Sequence, residues 1–350
     1  MKLIFLTRKV DFSDDRVSFV TDWLLEFASN LEQLIVICQE KGNIENLPDN
    51  IKILSLGKEK GYTKLYQTHL LKKYFLRNIR SVDGVFSHMA AQFSVIIGGW
   101  CRLFNKKLYQ WYVHKSINSY LKTSRLYVNG YITANRASFH MKTKRPIHIF
   151  GHGINLNHFK NLTPKDQTLL NILSVGRISP TKNIDTLISA IEKFYQNYPK
   201  LRNKIFVNIV GGPGLPSQQE YYLELIKNVK DKGLNSIINF TGPLPQSEVF
   251  PYYDKSNLFI HLSGTGSVDK VVLEAMAAKN LVISSSEAFK DILPVQLHLE
   301  KNDPDLLAKK ILEIYNLSPS DKEKLSQELK KEVINNHNLK NLVKKIINLY

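Results

Sequence analysis

Ser174-Val175-Gly176-Arg177-Ile178-Ser179-Pro180-Thr181-Lys182-Asn183 is answered further along the chain by Ser263-Gly264-Thr265-Gly266-Ser267-Val268-Asp269-Lys270-Val271-Val272-Leu273-Glu274-Ala275-Met276. Each stretch reads as a strand, a polar or glycine-bearing loop, and then a helix. Open α/β sheets bind ligands in the loops at the carboxyl ends of their parallel strands. The first loop brings two cations, Arg177 and Lys182, which are costly to bury unpaired. The second brings small residues that let backbone N–H groups approach a ligand, and a helix N-terminus whose partial positive charge favours an anion. A phosphate-bearing ligand is the simplest common explanation of both.

The same alternation extends outward from these loops. Strands are expected over 169–175, 205–210, 237–240, 257–262 and 281–284, with helices over 184–198, 218–232, 246–254, 268–279 and 304–317. Ile184, Leu187, Ile188, Ile191 and Phe194 recur at the spacing of one helical face. Upstream, strand signals fall at 3–7, 34–38, 51–55, 84–87, 108–112, 130–133 and 147–149. Val17, Val20, Trp23, Leu24 and Phe27 have helical spacing, and Lys64 to Arg80 reads as a basic amphipathic helix. Such alternation implies parallel sheets with helices on both faces. The pattern breaks around Gly151–Phe159, and the polar Lys160–Gln167 stretch with Pro164 reads as a linker. The expected organisation is α/β: a Rossmann-like domain over 1–160, a second over 161–335, and a basic amphipathic terminal helix within 336–350.

A length of 350 residues suits two domains, and an apolar share of 43% is ordinary for a globular chain. Two cysteines, Cys38 and Cys101, argue against a disulfide framework and fit a reducing compartment. Met1–Thr7 is too short an apolar run for a signal peptide and reads as a first strand. The most nearly membrane-like run, Gly84–Cys101, carries Ser87, His88, Gln92 and Ser94, so burial in protein is expected, and with it a cytoplasmic location. The net charge of +17 is uneven: residues 1–160 hold 24 Lys/Arg against 11 Asp/Glu, and residues 161–350 hold 24 against 20. Residues 84–160 carry eleven Lys/Arg and no acid. Such a surface attracts anionic lipid, which predicts peripheral contact with the inner face of the cell membrane. Nucleic acid is not expected, because zinc-ligand spacing, RNA-binding aromatic motifs and helix-turn-helix signatures are lacking.

Gly176-Arg177 with Lys182-Asn183, then Val210-Gly211-Gly212-Pro213-Gly214, Phe240-Thr241-Gly242 and Leu273-Glu274-Ala275-Met276, in that order, resemble the donor-binding half of retaining glycosyltransferases of family 4. The resemblance covers residues 170–290 well and the N-terminal half loosely. It implies the GT-B fold: two Rossmann-like, doubly wound parallel-sheet domains facing an interdomain cleft, the first binding acceptor and the second donor, with the chain end crossing back onto the first. It implies hexosyl transfer with retention from a nucleotide-diphosphate sugar to a glycan or lipid-linked acceptor, in cell-surface polysaccharide synthesis, with neither cofactor nor metal. Arg177 and Lys182 would then stabilise charge growing on the leaving diphosphate. Glu274 would accept the ribose hydroxyls, and Thr265, Gly266 and Ser267 would stand near the donor at a helix N-terminus. Leu244 would lie near the base, Gly212 in a turn shaping the nucleotide cleft, and His114 against the donor sugar.

The chain also departs from that family's pattern. The family motif has a second glutamate, which touches the donor sugar; eight positions before Glu274 stands Gly266 instead, which leaves the sugar open. Asp269 either substitutes in part or, more simply, stabilises the helix N-terminus. The first loop, Thr7–Asp11, lacks the glycines of many relatives; Lys9, Asp11 and Arg16 would meet a phosphate-bearing acceptor or be ordinary loop charges. His88 follows another strand, and His152, between Gly151 and Gly153, belongs to the cleft or to a turn. Two other classes share these signals: a sugar-nucleotide epimerase of the same fold, and a non-catalytic sugar-nucleotide-binding subunit.

Overall fold

The computed structural model describes residues 1–14, 19–45, 47–264 and 266–350; Arg16, Val17 and Thr265 lie outside the described residues. The chain divides into two units, Met1–Asn155 with Asn336–Tyr350, and Leu156–Asn335.

The first unit contains β1 (Lys2–Val10), α1 (Phe19–Ala28), β2 (Gln33–Lys41), β3 (Ile51–Ser55), α2 (Lys64–Asn78), β4 (Gly84–His88), α3 (Ala91–Leu103), β5 (Lys107–Trp111), α4 (Ser119–Ser124), β6 (Gly130–Thr133) and β7 (Ile147–Ile149). These strands form one parallel sheet in the order β3-β2-β1-β4-β5-β6-β7. Successive side chains of a strand point to opposite faces. Ile4, Leu6, Ile35 and Ile37 accordingly meet Leu71 and Phe75 of α2 and Ile97 of α3. Leu3, Phe5, Leu34 and Val36 meet Trp23 and Phe27 of α1 on the other face. Burial on both faces is why these strands read as unbroken apolar runs.

The second unit contains β8 (Leu170–Val175), α5 (Ile184–Asn197), β9 (Ile205–Val210), α6 (Gln219–Asp231), β10 (Ile238–Gly242), α7 (Gln246–Lys255), β11 (Leu258–His261), α8 (Lys270–Ala277), β12 (Leu281–Ser284), α9 (Pro304–Tyr315) and α10 (Pro319–Asn336). Its sheet is parallel in the order β10-β9-β8-β11-β12. The stripe Ile184, Leu187, Ile188, Ile191 and Phe194 is buried as its spacing requires. The last helix, α11 (Leu339–Ile347), belongs to the first unit. It seats Leu339, Leu342, Val343 and Ile346 with Phe27 and Trp23 of α1, and the hydroxyl of Tyr350 donates to the Val85 carbonyl at 2.7 Å.

Several elements differ from expectation, among them β1, α10 and α4, the last without a counterpart in the pattern reading. β1 runs on to Val10, so Arg8 and Lys9 lie in a strand and not in the following loop. Helix α10 had no counterpart in the pattern reading. Its buried face is the narrow stripe Leu325, Leu329 and Val333, set in a sequence otherwise rich in Lys and Glu. A single apolar residue per turn is enough to dock a helix, but it is a weak periodic signal.

Candidate active site

Backbone contacts lace together the loops that follow β8, β9 and β10. The Gly176 N–H donates to the Val210 carbonyl at 3.0 Å, Ile178 N–H to Gly212 at 2.8 Å, and Gly211 N–H to Gly242 at 3.0 Å. Gly211 has φ +135°, and a Cβ there would stand 2.0 Å from the Gly176 carbonyl oxygen. No side chain is compatible with that approach. Gly212 is buried with its carbonyl already used, so it shapes the turn. Arg177, exposed, lays its stem across Gly214, where a Cβ would come within 2.7 Å of its Cδ. It has no carboxylate partner among the described residues.

The two quoted stretches meet. Asn183, held left-handed at φ +49°, donates its side-chain amide to the Leu262 carbonyl at 2.7 Å, and Gly264 N–H donates to Thr181 at 3.1 Å. This brings Lys182 to Asp269, with Nζ 2.5 Å from Oδ2. The same oxygen lies 2.9 Å from His261 Nε2, while the Ser267 hydroxyl donates to Oδ1 at 3.3 Å. A carboxylate only accepts, so His261 carries its proton on Nε2; Nδ1 then accepts from the Ser284 hydroxyl at 3.0 Å. Burial pushes the His261 pKa down against the pull of Asp269, which keeps the ring neutral. Burial acts to raise the Asp269 pKa, but the His261 hydrogen bond and the Lys182 charge outweigh it, and the carboxyl lies well below its usual range. Asp269 stands where a carboxylate that stabilises the helix N-terminus is expected. It stands at the N-cap of α8, yet its side chain makes no capping hydrogen bond and serves Lys182 and His261 instead.

Glu274 lies in α8, where Val272 to Ala277 are all buried. Its Oε1 accepts from the Gln246 amide at 3.2 Å and its Oε2 from the Tyr253 hydroxyl at 3.1 Å. Burial, then the Glu274 charge, raises the Tyr253 phenol well above its ordinary value, so it remains a donor. Two neutral donors leave each carboxylate oxygen a further lone pair. Gly266, where the family motif has its other glutamate, takes φ +63° and is buried. A side chain in that left-handed conformation costs about 1–2 kcal/mol. Leu244 is half-buried in the turn between β10 and α7, and Thr265 lies outside the described residues.

The remaining candidates belong to the first unit. His114 is exposed beyond the end of β5, in the first unit, with Nδ1 accepting from the Ser116 N–H at 3.0 Å. His88 is buried, with ring centroids 5.0 Å from Trp23 and 5.8 Å from Phe5, and the buried His152 donates its N–H to His337 Nδ1 at 3.0 Å. Lys9 reaches Asp14 at 2.5 Å, Asp11 at 3.1 Å and Glu40 at 3.4 Å, so its charge is spent within the chain. Asp303-Pro304-Asp305, an acidic pair at ligand-like spacing, is a helix start: Asp303 Oδ1 accepts the Asp305 and Leu306 N–H groups. Among the described residues, no three His, Cys, Asp or Glu side chains gather as metal ligands, and no helix is long and apolar enough to cross a membrane. His261, Ser284, Gln246 and Tyr253 escaped the sequence reading. Only His261 left a signal, as a histidine ending a strand beside a glycine-bearing loop.

Two parallel-sheet α/β units with glycine-laced loops and convergent cations define a GT-B fold. Solved structures share it over the whole chain. HepE of Anabaena in complex with UDP has a TM-score of 0.76 at 14% identity, covering 100% of this chain and 99% of that one. Sucrose-phosphate synthase of Thermosynechococcus elongatus has a TM-score of 0.74 at 14% identity, covering 100% and 98%. Residues 154–335, more than half of the sequence, match the family described as glycosyl transferases group 1, and the chain belongs to that family. A D-inositol 3-phosphate glycosyltransferase of Frankia alni is 32% identical over 115 residues, 33% of this chain and 28% of that protein. The Streptomyces avermitilis protein of the same name is 27% identical over 178 residues, 46% and 37%. These matches span well under half of either relative's own length.

Proposed function

We propose that the chain is a retaining, metal-independent glycosyltransferase that moves a hexosyl unit from a nucleotide-diphosphate sugar to a hydroxyl of a glycan or lipid-linked acceptor in cell-surface polysaccharide synthesis. The observation that carries this reading is the bond of Lys182 to Asp269 at the start of Glu274's helix, with Arg177 lining the same small pocket as Lys182, inside the family-matched segment. As the bond from sugar C1 to the diphosphate oxygen breaks, negative charge grows on the terminal phosphate. Arg177 offers a planar fork to it, and Lys182, giving one N–H to Asp269, keeps two. Fixed cations cost no reorganisation at that moment. Glu274 accepts the two ribose hydroxyls, Leu244 borders the base, Gly212 shapes the turn beside the nucleotide, and Thr265, Gly266 and Ser267 are the proposed donor-side residues of the second loop. His114 is the proposed sugar-facing residue. A leaving-phosphate oxygen takes the acceptor proton.

HepE is described with UDP, which makes uridine diphosphate the first nucleotide to test. The relatives named for D-inositol 3-phosphate suggest an acceptor that is itself anionic. The basic first unit suits such acceptors at a membrane surface: on α2, Leu65 is 86% exposed next to Lys64, and Lys72 and Lys73 are exposed two turns along. A cytoplasmic, peripheral placement follows from this reading. It requires co-sedimentation with anionic vesicles that is lost as salt is raised.

Melting temperatures measured with a panel of nucleoside diphosphates test the donor site. One diphosphate should stabilise the protein, and Arg177→Ala should abolish the shift. No shift with any nucleotide would overturn the proposal. Gly266 favours a second reading, a sugar-nucleotide-binding subunit without turnover. Release of the diphosphate from a nucleotide sugar, dependent on an acceptor extract, separates the two.

A further inference from the structure

At the opposite ends of the strands from these loops, the second unit holds a cavity of about 460 Å3, bordered by Leu170, Leu258 and Leu281, the first residues of β8, β11 and β12. That volume lies within the range of small-molecule sites. Lys160, Lys165, Lys279, Lys322 and Lys330 line it, with Glu323 as the acidic member of the wall.

Glu323 is already engaged, 3.0 Å from Lys279 and accepting from the Gln327 amide at 2.7 Å. The other half-buried ammonium groups rest on neutral oxygens. Lys322 donates to the Tyr315 carbonyl at 2.8 Å, Lys330 to the Phe159 carbonyl at 3.4 Å, and Lys165 to Asn280 Oδ1 and the Tyr253 carbonyl. Asp254, whose charge also acts on Lys165, accepts from the Thr163 N–H and hydroxyl. Burial pushes the Lys165 pKa down to about 7 and lowers those of Lys322 and Lys330. Lys165, Lys322 and Lys330 thus border one ligand-sized space whose acid, Glu323, is already paired with Lys279. Desolvated like charges of this kind repel one another, and an entering polyanion relieves that repulsion.

We propose that this cavity is a second ligand site, which binds a small, multiply charged phosphate compound, either inorganic pyrophosphate or a phosphorylated sugar. Lysines meet phosphate as point charges. The Thr163 and Ser326 hydroxyls in the wall, whose protons go to Asp254 and the Glu323 carbonyl, keep their oxygens as acceptors for the rest of the ligand. The site is independent of the donor reading, since none of its residues belongs to the donor loops.

Calorimetric titration of the full chain with inorganic pyrophosphate and, separately, with a hexose phosphate tests it. The wild type should bind at least one probe, and the tighter probe identifies the ligand's source. The double variant Lys322→Gln, Lys330→Gln should weaken binding at least tenfold. The charge-matched control Lys324→Gln, Lys331→Gln, exposed on the same helix and outside the cavity, should leave it within twofold. Arg177→Ala should also leave it within twofold, which separates this cavity from the donor loops. Absence of binding by the wild type, equal losses in the two lysine pairs, or loss only with Arg177→Ala would each overturn the proposal.

Discussion

Glu274→Gln tests the proposed ribose contact with little cost to the fold. The side chain keeps its volume in a fully packed helix, and its amide oxygen still accepts from either Tyr253 or Gln246, so about 1 kcal/mol of stability is lost with the second bond. Ligand binding should suffer more. A hydrogen bond to a charged acceptor contributes roughly 1.5–3 kcal/mol against roughly 0.5–1.5 kcal/mol for a neutral one. Two ribose hydroxyls on a carboxylate therefore lose about 2–3 kcal/mol when one oxygen becomes an amide nitrogen and the other loses its charge. That corresponds to a Kd about 30- to 150-fold weaker. The assay is a double cycle: titrate wild type and variant with the nucleoside diphosphate and with its 2′,3′-dideoxy form. The dideoxy ligand has nothing for Glu274 to accept, so it should bind both proteins equally. A loss of the same size with the dideoxy form would refute the ribose assignment, and would mean that Glu274 acts only by holding Tyr253 and α7.

Two further outcomes follow from packing and titration. Gly211→Ala places a Cβ 2.0 Å from the Gly176 carbonyl in a conformation reserved for glycine, and should destabilise the protein by about 3 kcal/mol while abolishing nucleotide binding; a denaturation midpoint within about 1 kcal/mol of wild type would show that the loops are not locked as described. His337 accepts the His152 N–H on Nδ1, and burial lowers its pKa from 6.5 to about 4. The unfolded chain therefore takes up that proton first as pH falls, so stability is full above about pH 6.5 and declines by about 3 kcal/mol down to about pH 4. Urea midpoints between those pH values should fall less in His337→Gln; identical declines in variant and wild type would remove His337 as the cause.

Much of the fold was written in local patterns. The β8 and β12 strands and the α5 stripe could be read because their residues are buried by a simple rule, continuous for a doubly covered strand and periodic for a helix. Helix α10 was invisible because its docking face is only one residue wide. The loops after β8 and β11 were legible as a candidate site, from glycine and paired cations at strand ends. Their internal wiring was not. That Asp269 faces Lys182 and His261, and not the backbone of its own helix, depends on contacts across 87 and 8 residues that no local spacing encodes. Gln246 and Tyr253 share this property: they matter because α7 lies against α8, and nothing in Gln-Ser-Glu-Val announces that one of its members will donate to a buried carboxylate.

The Asp269 network changes what the two cations can contribute. An Arg and a Lys acting alone would present two positive charges to a diphosphate, and tight binding would follow. With Asp269 fixed 2.5 Å from Lys182, the pair is close to neutral and Arg177 is left as the uncompensated charge. On the proposed reading, ground-state attraction for the diphosphate is weakened accordingly. In exchange, Lys182 is ordered before any ligand arrives, and a lysine side chain left free would lose about 2 kcal/mol of rotamer entropy on being fixed. His261, neutral and itself held by Ser284, keeps the carboxylate from following the lysine when a phosphate draws it away. Uniformly tight binding does nothing for the chemical step, whereas a cation already aimed at the place where charge develops does. On the proposed reading the arrangement trades affinity for orientation, three residues beyond the left-handed Gly266.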